Sequence, residues 1–174
     1  AIGVSHGAPS RHFQSKEALM AAIAEEGFRK FNAYLERSEN EKDLRARFLA
    51  MGRQYIDFAL DHPEYFRILF GDKISNHEKY PTLLEQGEKA FRQLLNLVIL
   101  MQKEKILKPQ DPLSLAYVTW SGVHGLANLA VSGQVRSGID RGLEISNSDR
   151  KVKETCHRLI DQMNHCLLAG FSSH

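Results

Sequence analysis

Residues 113–131 read LSLAYVTWSGVHGLANLAV and carry no acidic or basic side chain apart from one histidine. Leu115, Ala116, Val118, Trp120, Val123, Leu126, Leu129 and Val131 would point to nearly every side of a helix. A helix that is apolar all round has to be covered on all sides, so this segment predicts a buried central helix. Ser, Thr, His and Asn interrupt it, and no run of eighteen apolar residues occurs anywhere, so no membrane-spanning helix is expected.

The other periodic segments are amphipathic at helical spacing. Leu19, Ile23, Phe31, Tyr34 and Leu35 share or border one stripe, with Ser15 as its N-cap. A polar break follows at residues 36–42. Leu44, Phe48, Met51, Tyr55 and Phe58 then recur at threes and fours. Asp61-His62-Pro63 ends that helix, and Pro63 opens a short one over residues 64–70 that stops at Gly71. Leu84, Gly87, Phe91, Leu94, Val98 and Met101 form the next stripe, and Pro109 and Pro112 are expected to close that helix and open the following one. After a Gly/Ser/Asn-rich loop at 132–148, Val152, Cys156, Leu159, Ile160, Met163 and Leu167 make the last helix, with Gly170 as its stop. No alternating β-branched run or Asn-Gly hairpin signal appears, so the expected fold is all-α.

A chain of 174 residues with 43% hydrophobic content suits one domain of ordinary size, or one with a small appendage. The formal charge of +2 does not mark a strongly basic nucleic-acid binder, but local charge placement matters more. Residues 1–16 hold Arg11, Lys16, His6 and His12 and no acid. Gly3 accepts a tight turn between helices, Ser5 can cap a new helix, and the small His6-Gly7-Ala8-Pro9 turn lets a duplex come close. This is how the second half of a helix-turn-helix reads, although a plain connector has a similar composition. The chain opens on Ala1 in mid-motif, so further residues are expected upstream.

GVSHGAPSRHFQSKEALMAAIAEEGF resembles the end of the DNA-binding head of the tetracycline repressor (TetR) family, through Gly3-Val4-Ser5, His12-Phe13 and Lys16-Glu17-Ala18-Leu19. Residues 58–71 and 119–133 resemble the ligand-binding half of a subgroup with a Trp-x-x-x-His-Gly motif, here Trp120, His124 and Gly125. Ser10 stands where the family usually has a phosphate-contacting Tyr, so its reach to a phosphate is shorter. The resemblance implies an Ω-shaped all-α homodimer. Residues 1–37 would be the remnant of the helix-turn-helix head with its connecting helix. Residues 38–174 would form the ligand-binding and dimerisation domain. It implies a transcriptional regulator, with a repressor as the expectation, that leaves its double-stranded DNA operator when a small-molecule effector binds. The alternative is a small-molecule-binding helical protein with a degenerate or absent head. Ser5, His6, Gly7, Ser10, Arg11, His12 and Lys16 are the expected DNA contacts, and Tyr55, Phe58, Phe66, Phe91, Trp120 and His124 the expected effector contacts.

Other constellations carry less. His124 reads either as a core histidine with one hydrogen bond or as a polar group facing a pocket beside Trp120. Gly122 and Gly125 favour the packing reading. His6 and His12, and likewise Cys156-His157 and His165-Cys166, fall on different helix faces, so no metal or other cofactor is expected. The two cysteines lie about 15 Å apart along one helix, too far for a disulfide, which suits a reducing cytoplasm. The helices at 113–131 and 152–167 are expected to pair with a symmetry mate. No nucleophile–base spacing or phosphate loop suggests an enzyme.

Overall fold

The computed structural model describes residues 15–71, 74, 77–136 and 149–171. It is all-α, with no strand among the described residues. Six longer helices follow in order among the described residues: α1 (Lys16–Glu36), α2 (Leu44–Asp61), α3 (Pro63–Leu69), α4 (Pro81–Lys103), α5 (Pro112–Val131) and α6 (Asp149–Phe171), and residues 134–136 are helical as well. A 3-10 turn, Arg37–Asn40, follows α1.

The helix starts are written in local chemistry. Ser15 Oγ accepts from the Ala18 amide at 3.0 Å, Asp43 from Ala46 at 2.8 Å and Asp111 from Ser114 at 2.8 Å. Each satisfies a donor that the first helical turn leaves unpaired. Pro63, Pro81 and Pro112 occupy opening positions where a missing N–H is harmless.

Two stops differ from the sequence reading. The fourth helix does not run on to Pro109. It ends at Lys103, because Lys105 turns left-handed (φ 58°) and closes a Schellman motif. The Ile106 amide donates to Met101 O at 2.8 Å and Lys105 to Gln102 O at 3.0 Å. Gly170 does not end α6, which continues to Phe171. There the Lys108 amide donates to Phe171 O at 2.7 Å, so a neighbouring loop answers a carbonyl of the last turn.

α2 packs against each of the other five helices. Its Ile56, Phe58 and Ala59 are fully sealed. Close approaches need small residues. A Cβ on Gly122 would stand 2.6 Å from Met163 Sδ on α6, and one on Gly27 would stand 2.8 Å from the Tyr65 ring on α3. α5 departs from the all-round burial its sequence predicts. Leu115, Ala116, Val123 and Ala127 are buried, whereas Leu113, Tyr117, Val118 and Leu129 are 44–50% exposed. One face of this apolar helix is therefore left uncovered by its own chain.

The stop at Lys105 yields a stability test. A left-handed residue with a Cβ costs about 1 kcal/mol that glycine avoids. Lys105→Gly is expected to raise the free energy of unfolding by about that much, read as a higher denaturant midpoint at unchanged slope. A lower midpoint would contradict the assignment of the cap.

Candidate ligand cavity

The apolar stripes of α1, α2, α4 and α5 do not close on one another completely. Between them lies a cavity of about 530 Å³. α1 contributes Phe28, Phe31 and Leu35, and α4 faces them with Gly87, Phe91 and Leu94. α2 supplies Phe48, Met51 and Tyr55, and α5 supplies Tyr117, Trp120 and Val123. The wall is mainly hydrocarbon and aromatic ring. Its charged members, Glu88 and Arg92, are exposed and pair with each other at 3.1 Å.

Three of the six expected effector contacts, Tyr55, Phe91 and Trp120, line this space. Phe58, Phe66 and His124 stand behind the wall instead. Phe58 and Phe66 are 0% and 1% exposed, and their rings pack on Phe31 (5.0 Å) and Phe70 (5.1 Å). His124 meets the cavity through side chains that line it: its ring packs on Phe70 at 4.9 Å, and the Tyr55 hydroxyl lies 2.8 Å from His124 Nδ1. The Trp120 indole N–H donates to the same hydroxyl at 3.2 Å. The hydroxyl therefore bridges the Trp120 indole and the His124 imidazole. Burial pushes the Tyr55 phenol well above its ordinary range, against a smaller opposing pull from Trp120. Burial also lowers the His124 pKa. Both groups stay neutral, and the relay is an uncharged brace behind the wall.

Sequence reasoning passed over the α1 side of the cavity. Phe28 and Phe31 belong to an ordinary amphipathic stripe, and nothing in a stripe says that it faces a hollow. Asn164 was also passed over, although a signal existed. Val152, Cys156, Ile160, Asn164 and Leu168 form a buried row at intervals of four, with one amide in it.

A second polar group holds α2 to α6. His157 Nε2 lies 2.6 Å from Asp57 Oδ1, and Lys153 Nζ lies 3.0 Å from the same oxygen and 3.3 Å from Asp61. Arg53 makes a two-pronged pair with Asp161 at 2.6 and 2.8 Å. Burial alone would raise the Asp57 pKa, but bonds from His157 and Lys153 hold it below the usual carboxylate value. Among the described residues, no group of three or more His, Cys, Asp or Glu could hold a metal. Cys156 is buried, which pushes its thiol up to about 11, and Cys166 is exposed. No helix, among the described residues, is long and apolar enough to cross a membrane.

Of the expected DNA contacts, Ser5, His6, Gly7, Ser10, Arg11 and His12 lie outside the described residues. Lys16 is exposed at the first position of α1.

Two outcomes follow from this geometry. Tyr55→Phe keeps the ring but strands His124 Nδ1 and the Trp120 N–H, and is expected to lower stability by about 1–3 kcal/mol. Chemical denaturation measures it, and an unchanged midpoint would dismiss the relay as a brace. Because the folded-state pKa of Asp57 is depressed, its contribution is present above the ordinary carboxylate pKa of about 4 and is lost as pH falls below it. Unfolding free energy should drop on acidification through that range, and Asp57→Asn should flatten the drop.

The comparisons bear on the whole arrangement. A family model for the tetracyclin repressor-like C-terminal domain matches residues 48–146. A protein of unknown function from Rhodococcus sp. RHA1 has a similar solved structure, with 29% identity and a TM-score of 0.77, covering 98% of this chain and 80% of that one. A regulatory protein of the tetR family from Rhodococcus RHA1 shares the fold at 14% identity and a TM-score of 0.69, covering 98% and 82%. No curated protein matches the chain significantly. With more than half its length matched by the family model, an all-α fold and a ring-lined hollow among its helices, the chain belongs to the tetracyclin repressor-like family.

Proposed function

We propose that the chain is a dimeric, ligand-responsive DNA-binding regulator, a repressor that a small-molecule effector releases from its operator. The observation that carries this reading is the double role of α1. Its far half gives Phe28, Phe31 and Leu35 to the cavity, while its first residue adjoins the cationic 1–16 segment. At 1.5 Å per residue the helix is a rigid rod about 30 Å long. An occupant wedged against its far half would swing its near end.

The joint that would carry that swing is polar. Asn32, buried on α1, donates to Gln86 O (3.1 Å) and Gln86 Oε1 (3.2 Å), and accepts from Gln93 at 2.9 Å. These bonds fix α1 to α4 in one register. A ligand that prefers a second register would shift the population toward it. A coupling of about 1–3 kcal/mol is the usual scale.

The uncovered face of α5, with Leu159 on α6, supports dimerisation. A stable interface buries on the order of 1,600 Å² in all. Two heads placed about 34–36 Å apart would then read successive major grooves. In this reading residues 1–37 carry the head's recognition segment and connecting helix, and residues 38–174 the effector and dimer functions. The protein works in the cytoplasm, where the DNA is. Ser5, His6, Gly7, Ser10, Arg11, His12 and Lys16 face the duplex. Tyr55, Phe91 and Trp120 would touch the effector, with Phe58, Phe66 and His124 supporting them from behind.

Salt titration on a duplex selected from a random pool tests the reading. Log affinity is expected to fall linearly with log salt at about 0.9 per phosphate neutralised. Arg11→Ala or Lys16→Ala should make the slope shallower by about one. A slope that neither substitution changes would remove both residues from the interface.

A further inference from the structure

The cavity holds one polar feature that packing does not explain. Asn164 is 2% exposed, lines the cavity, and its Oδ1 has no hydrogen-bond partner among the described residues. Its neighbours in the buried row of α6 are apolar, and a leucine has nearly the same outline as asparagine. An unanswered amide here weakens the fold.

Opposite it stands a second unfavourable choice. Gly52 lies in the interior of α2, where glycine weakens a helix. A Cβ at that position would fall 2.7 Å from Asn164 Nδ2 and 3.0 Å from Ile160 Cγ1. The missing side chain is what leaves room for the amide. Gly52 lines the same cavity, as does the largely buried Thr119. Two costly residues thus meet at one spot on the cavity wall.

The rest of the wall limits what could answer the amide. Phe31, Phe48, Tyr55, Phe91, Tyr117 and Trp120 present rings from four helices. The charged side chains among the lining residues, Glu88 and Arg92, are already paired with each other. Such a wall suits an uncharged, flat-sided occupant. An apolar cavity of about 150 Å³ holds benzene, so about 530 Å³ holds roughly three rings. A half-turn of the amide exchanges its oxygen and nitrogen without changing its shape. A hydroxyl both donates and accepts, so it matches either end; a carbonyl or ether only accepts and would leave Oδ1 unmet.

We propose that the cavity takes an uncharged aromatic molecule of two or three rings bearing a hydroxyl group, and that this hydroxyl hydrogen-bonds the side-chain amide of Asn164. The proposal rests on the reading of the cavity as the effector site and names the chemistry of its occupant.

The test compares 2-naphthol with naphthalene by titration calorimetry on the intact protein. Wild type is expected to bind 2-naphthol about tenfold more tightly, equivalent to about 1.4 kcal/mol. In Asn164→Leu the two affinities should come within about twofold, with naphthalene binding unchanged. The ligand-free variant should melt no lower than wild type, since its buried amide is gone. If leucine is not accepted at 164, Asn164→Ala serves the same comparison, and the wild-type preference stands as a test by itself. Equal affinities in wild type would mean that solvent answers the amide, and would overturn the proposal while the cavity reading survives. A preference retained without Asn164 would overturn it in the same way. Binding of neither probe to wild type would count against the cavity reading, and the proposal would fall with it.

Discussion

A hollow of about 530 Å³ stays open only if its wall side chains are unable to fold inward, and Tyr55 is where that constraint is concentrated. Protein interiors otherwise close to crystal-like density. The Tyr55 ring meets Phe31 edge-on at 5.0 Å and Phe66 edge-on at 6.2 Å, and lies nearly parallel to Phe70 at 6.1 Å. Its hydroxyl is held by Trp120 and His124 on α5. One side chain on the central helix thus ties α1, α3 and α5 to fixed positions. Stiff rings with few rotamers do the rest, because they span the gap between helices without filling it.

The same economy runs through the contacts between helices. α1 and α4 meet in part through the amide cluster of Asn32, Gln86 and Gln93, whose directional bonds fix a register that a hydrocarbon seam would leave looser. α2 and α6 meet through carboxylate–cation pairs beside fully buried Ile56 and Ile160. α5 shows four large apolar side chains to solvent along one face and turns the other to α2, α4 and α6.

How far the sequence discloses this depends on whether the signal is local. Ser15, Pro63 and Pro112 act within one turn of themselves, and the helices begin where those residues ask. Pro109 and Gly170 are equally local signals, yet the chain overrides both. Lys105 stops α4 earlier by adopting a strained left-handed turn, and a loop amide from Lys108 carries α6 past its glycine. Burial is less legible. An apolar stripe is the same string whether it faces packed core or empty space. That is why Tyr55, Phe91 and Trp120 line the cavity while Phe58, one turn from Tyr55, and Phe66 on α3, both equally aromatic, do not. Asn164 is the exception, because a lone amide in a four-spaced apolar row can be seen before any coordinates exist.

Trp120 has a consequence of a different kind. It is the sole tryptophan of the chain, and its indole borders the hollow while its N–H is tied to Tyr55. Its near-ultraviolet emission therefore comes from one known place, uncontaminated by any other indole. The molecule carries an optical gauge of its own interior, in which wetting, filling or emptying of that space changes the colour and brightness of a single fluorophore.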